Sequence, residues 1–182
     1  MFKVMIFYLR ALEEDSDLSL LAVLQNEFGS ELQCIEFSAL DPRTAGLNIE
    51  ATIEPYFRDD IILVGQQTGA FFSNFYCEKF NLKSVLISPC FDPFSRFSAT
   101  LEAQDIDLAA YSQFPIVDLA TTYKLVFVTA DDSQSSPSYI RKFLPRHHAT
   151  VFDGGHQNAS AQQHIVEAIR FTSNNFVDPT SD

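Results

Sequence analysis

Residues 61–80 read IILVGQQTGAFFSNFYCEKF, and the way this stretch breaks decides the fold. Ile61, Ile62, Leu63 and Val64 have the composition of a buried strand. Gly65 and Gly69 then bracket a short turn, after which Phe71, Phe72, Phe75 and Tyr76 recur at helical spacing. A strand that passes through such a turn into a helix has the layout of a Gly-x-Ser-x-Gly elbow. There the central residue sits on strained backbone over the helix N-terminus, and the flanking glycines allow close packing. The central position here is Gln67. A glutamine amide cannot attack an acyl carbon, so the spacing argues for a fold while the residue argues against the reaction usually carried out on it.

The same alternation continues on both sides. The apolar run at residues 2–9 is a strand covered on both faces. An acidic loop follows, then a helix through LSLLAVLQNEF, with Ser16 or Asp17 as cap and Gly29 as its end. Residues 32–38 are a second strand, DPRTAG is turn chemistry, and a modest helix is expected over residues 47–57. After the elbow come strands at 84–88, 124–129 and 148–152, a short helix around 139–144 and a closing helix over 161–176. Strands alternating with helices specify an α/β domain: a three-layer sandwich around a mainly parallel six-stranded sheet, expected in the order 2-1-3-4-5-6. A flavodoxin-like sheet of order 2-1-3-4-5 is the competing arrangement. Residues 91–115 form a helical excursion, placed to act as a lid, and 178–182 are a polar tail on a single domain of residues 1–177.

Composition narrows the function classes. The chain has 182 residues, 46% of them hydrophobic, enough for one core. A formal charge of −12 disfavours nucleic acid and anionic membrane surfaces as partners. Cys34, Cys77 and Cys90 are widely spaced and without Cys-x-x-Cys, as expected for thiols in a reducing compartment, so the cytoplasm is the expected location. The opening apolar run is too short to span a membrane and lacks a small-residue cleavage site. Gly65-x-x-x-Gly69 is neither a P-loop nor Gly-x-Gly-x-x-Gly, so no nucleotide cofactor is expected. No metal is expected either. His147 and His148 alternate across a strand and read as surface histidines, and His164 reads as structural on the last helix.

In parallel sheets, function collects at the carboxyl ends of strands. That rule selects Arg10, residues 66–69, residues 88–92, Asp131 with Asp132, and residues 153–158. An elbow after strand three, an acid after strand five and a histidine loop after strand six follow the chain order Ser, Asp, His. On these motifs the chain resembles the small bacterial α/β-hydrolase-fold esterases of the YqiA type. FYLRAL at 7–12 is similar to their Tyr-Leu-His-Gly-Phe, with Arg10 for the histidine and Ala11 for the glycine. VGQQTGA at 64–70 matches Val-Gly-x-Ser-x-Gly-Gly, with Gln67 for the serine. SPCFDPF at 88–94 is like Asn-Pro-x-x-x-Pro-Phe, and TADD at 129–132 is like the Thr-Gly-Asp-Glu acid loop, keeping Asp131. GGHQ at 154–157 is like Gly-Gly-x-His, with Gln157 at the histidine position and His156 one residue early.

The resemblance implies the fold and a degenerate triad of Gln67, Asp131 and His156. Loss of nucleophile or base removes most of the covalent contribution, roughly 10⁶-fold in a well-studied protease. The expected function is therefore non-catalytic: a pseudoenzyme that binds a small anionic or ester-like ligand, or a protein partner. Arg10, the Thr68 amide and His156 would gather around an anion. The alternative is an active esterase or thioesterase with an atypical site, for instance one built on Cys90 with His156 as base.

Overall fold

The computed structural model describes residues 3–14, 18–99, 107–119, 121–130, 132, 135–155 and 158–174. Six strands form one sheet: β1 (Val4–Ala11), β2 (Leu32–Phe37), β3 (Asp60–Gln66), β4 (Lys83–Ile87), β5 (Tyr123–Thr129) and β6 (Ala149–Phe152). Their order is β2-β1-β3-β4-β5-β6, and every pairing is parallel. This is the order expected from the sequence, and it rules out the five-stranded alternative.

The two faces of the sheet follow from the period of two along each strand. In β1, Met5, Phe7, Leu9 and Ala11 enter one core, while Ile6 and Tyr8 enter the other. In β3, Ile61 and Leu63 separate from Ile62 and Val64 in the same way. The first core is covered by α2 (Pro42–Ile53), α3 (Thr68–Phe80), α4 (Pro93–Ser98) and α5 (Pro137–Phe143). The second is covered by α1 (Leu18–Phe28) and α6 (Ala159–Asn174). Burial on both faces is why the central strands read as unbroken apolar runs.

Several boundaries differ from the sequence reading, most of them by one or two residues. β1 runs on to Ala11, so Arg10 lies in the strand. α2 starts five residues earlier than expected, because Asp41 caps it by accepting from the Thr44 N–H at 3.1 Å and Pro42 occupies the first turn. It ends at Ile53 in a 3₁₀ turn, Glu54–Tyr56, that contains Pro55. The excursion at 91–115 holds α4, capped by Asp92 on the Ser95 N–H at 3.0 Å, and a 3₁₀ turn, Leu108–Gln113. Residues 100–106, the tail at 178–182 and the suggested caps Ser16 and Asp17 lie outside the described residues. Among the described residues no helix is long and apolar enough to cross a membrane.

The amino ends of the strands carry a charged cluster. The Lys124 side chain, fully buried near the start of β5, is paired with Glu78 of α3 and lies 3.7 Å from Asp118. Glu78 Oε1 also accepts from the Leu119 N–H at 3.1 Å and the Thr122 hydroxyl at 2.9 Å. His147 corrects the sequence reading: it precedes β6, is mostly buried, and its Nδ1 lies 2.7 Å from Asp118 Oδ1. His148 is exposed, as expected.

Candidate functional site at the elbow

The turn between β3 and α3 has the geometry of an elbow, with Gln67 at its apex. Gln67 has φ 52° and ψ −114°, a backbone conformation that side-chain-bearing residues rarely adopt. Packing enforces it. A Cβ on Gly65 would stand 2.3 Å from the Gly69 carbonyl oxygen, and one on Gly69 would stand 2.0 Å from that of Leu9, so only glycines let α3 approach β1 and β3 this closely. The turn is also tied to the next strand: the Gln67 N–H donates to the Ile87 carbonyl at 3.0 Å, and the Cys90 N–H donates to the Gln67 carbonyl at 3.1 Å. Conformations of this kind cost about 1–3 kcal/mol. Replacing Gln67 by glycine is therefore expected to raise stability by about 1 kcal/mol, net of the extra freedom of the unfolded chain. A urea midpoint at or below that of the wild type would show that the turn is not strained.

In elbow enzymes the N–H of the residue after the nucleophile stabilises the oxyanion. That N–H belongs here to Thr68, and it is engaged. The Glu14 carboxylate accepts from the Thr68 N–H at 3.3 and 3.1 Å through its two oxygens, and from the Thr68 hydroxyl at 2.6 Å. Arg96 of α4 places Nε 3.5 Å from the same carboxylate. Glu14 is 5% exposed. Burial pushes its carboxyl above the usual carboxylate value, against the opposing pull of the Thr68 hydroxyl and the Arg96 guanidinium. Its neighbour Glu13 turns the other way, pairing with the Ser38 hydroxyl and accepting from the Ala39 N–H at 2.7 Å.

The other candidate residues divide into two groups. Arg10 does not point its charge at a free anion site: its guanidinium pairs with Glu36 of β2 at 2.5 Å. Cys90 is buried beside Glu14 and Arg96, and burial pushes its thiol up, which keeps it protonated and a poor nucleophile. Asp131, His156 and Gln157 lie outside the described residues. Asp132 ties its own loop, accepting from the Ser135 N–H at 3.1 Å. His164 is exposed on α6, its Nδ1 2.7 Å from the Ser160 carbonyl of its own helix. Among the described residues no three His, Cys, Asp or Glu side chains gather as a metal site would require.

A cleft of about 430 Å³ opens beside the elbow, within the range of small-molecule sites. Phe71 of α3, Phe91 and Phe94 around the start of α4, and Leu108, Tyr111 and Phe114 of the excursion make most of its wall. The Tyr111 hydroxyl donates to the Ala39 carbonyl at 2.6 Å, and its ring meets that of Phe71 edge to face. The excursion thus supplies an apolar wall.

Elbow, sheet order and cleft together describe an α/β-hydrolase fold, and residues 5–123 match the uncharacterised protein family UPF0227. The chain belongs to the UPF0227 family. Solved structures agree on the fold. A YdeN-like hydrolase candidate from Pectobacterium atrosepticum superposes with a TM-score of 0.63 at 17% identity, over 93% of this chain and 92% of that one. A candidate hydrolase of the α/β superfamily from Xanthomonas campestris gives 0.63 at 13% identity, over 94% and 97%. Est1E from Butyrivibrio proteoclasticus gives 0.62 at 11% identity, over 95% and 89%. No curated protein matches the chain. At these identities the UPF0227 chain shares a fold with the solved structures, and its function must be argued from its own residues.

Glu14 was missed in the sequence because it stands in the acidic loop after β1 beside other acids. The signal that could have found it is positional: that loop leaves β1 at the carboxyl end of the sheet, next to the elbow.

Proposed function

We propose that this UPF0227 protein is a non-catalytic relative of YqiA-type esterases that binds a small uncharged, ester-like ligand in the cleft beside the elbow. The observation that carries this reading is Gln67, a residue without a nucleophilic atom, at the apex of a turn that still has elbow geometry. Two others support it: the Thr68 amide is engaged by Glu14, and the Cys90 thiol is buried. The cleft wall of aromatic and aliphatic side chains suits an apolar group. Three free thiols suit a reducing compartment, which for this chain would be the cytoplasm.

The expected result is no turnover of p-nitrophenyl esters of short and medium acyl length above a heat-inactivated control. Those esters should nevertheless raise the melting temperature. Gln67→Ser alone should stay inactive, because Gln157 matches the histidine of the resembled motif and Glu14 covers the amide that would hold the oxyanion. Robust hydrolysis by the wild-type protein would replace this reading with that of a working esterase. Hydrolysis by the single variant would mean that His156 serves as base.

A further inference from the structure

A buried carboxylate in a chain of charge −12 needs a reason. Glu14 could lie in water at no electrostatic cost, as a residue of an exposed acidic loop ordinarily does. Instead it is held at the carboxyl end of the sheet at a place where a helix N-terminus, a hydroxyl and a guanidinium point at a common spot. α3 is thirteen residues long, so its first N–H carries the partial positive charge of a full helix. Gly65 and Gly69 fix where that N–H stands, independently of Glu14. The same turn contains a second polar atom awaiting an explanation: Gln67 Oε1 is buried and has no hydrogen-bond partner among the described residues.

We propose that Glu14 is an internal ligand of the elbow, its carboxylate standing where the oxyanion of an acyl group or the carboxylate of a free acid would otherwise sit. Being part of the chain, it is present at an effective concentration far above that of a dissolved acid. The seat is therefore closed to dissolved carboxylates, while the neighbouring cleft walled by Phe71, Phe91 and Tyr111 is left to uncharged molecules. Arg96 counters the charge of Glu14 and holds it from the α4 side. The choice of uncharged ligands rests on the cleft being a ligand site, as argued above; the anion seat itself does not.

The test uses formate, which needs only the seat and no apolar wall, so its failure is separable from failure of the ester-ligand reading. Glu14→Ala vacates the seat. Its melting temperature should fall below that of the wild type and then rise with formate in a saturable way, well beyond the response to chloride at equal ionic strength. The wild type should respond alike to both salts. A Glu14→Ala protein that responds no more to formate than to chloride overturns the proposal. If that variant does not fold, Glu14→Gln keeps the shape and removes the charge. The Thr68 amide proton should then move upfield by several tenths of a part per million relative to the wild type, whereas an unmoved resonance overturns the proposal.

Discussion

Replacing Gly69 by alanine is expected to abolish cooperative folding, or to cost on the order of 4 kcal/mol or more, although it adds a single methyl group. The methyl carbon would lie 2.0 Å from the Leu9 carbonyl oxygen and 2.8 Å from its carbon, both backbone atoms of a central strand. Neither can swing aside as a side chain would. β1 is hydrogen-bonded to β2 on one side and β3 on the other, so the strain falls on α3. Moving α3 outward loosens Phe72 and Tyr76, which are almost wholly buried in the first core, and lifts Thr68 from Glu14. Gly29 provides the contrast. Its φ of +50° disfavours alanine, but a Cβ there would meet nothing within 4 Å, so the cost should be about 1–2 kcal/mol. Urea unfolding of both variants separates steric exclusion from backbone preference. A Gly69→Ala midpoint close to that of Gly29→Ala would mean that α3 can leave the sheet cheaply and that the elbow is not set by its glycines.

The fold could be read from the chain because its strongest signals are local. Runs such as residues 61–64 are apolar without alternation, as strands of a covered parallel sheet are, and the Gly65 to Gly69 spacing marks where one strand turns into a helix. Where two local readings compete, the sequence leaves a choice. Asp41-Pro42 serves equally as turn chemistry or as a cap with proline in the first helical turn, and α2 uses the second. The site was less legible, because its deciding contacts are distant in sequence. Glu14 and Thr68 stand 54 residues apart, and nothing local distinguishes Glu14 from Glu13, which binds the β2–α2 connection instead. Arg10 was placed by its position after an apolar run, but its partner is set by the register that puts it opposite Glu36. In both cases side-chain type predicted the chemistry available, while tertiary pairing decided what that chemistry is used for. The elbow of this UPF0227 chain is thus a geometry enforced by packing, with the Glu14 carboxylate bonded to its Thr68 amide.

Lys124→Met should destabilise the protein by about 3–5 kcal/mol, a large part of the stability of a domain this size. Met matches the stem of the lysine, so packing is nearly retained and the effect isolates the charge. The lysine head group is fully buried, and the side chains of Glu78 and Asp118 are 5% and 7% exposed. Removing the cation leaves two carboxylates in a poorly solvated space, with His147 and the Arg146 N–H still beside Asp118. The Leu119 N–H and the Thr122 hydroxyl bind Glu78 but carry no full charge. Glu78→Gln in the same background removes one of the two charges and keeps an acceptor oxygen for those donors. The double variant should therefore recover about half or more of the loss, a coupling that two independent sites would not show. Urea melts of the wild type, both single variants and the double variant complete the cycle. If the two substitutions simply add, Lys124 is acting through its packing rather than by neutralising Glu78 and Asp118, and the cluster at the amino ends of the strands is not what joins α3 to β5.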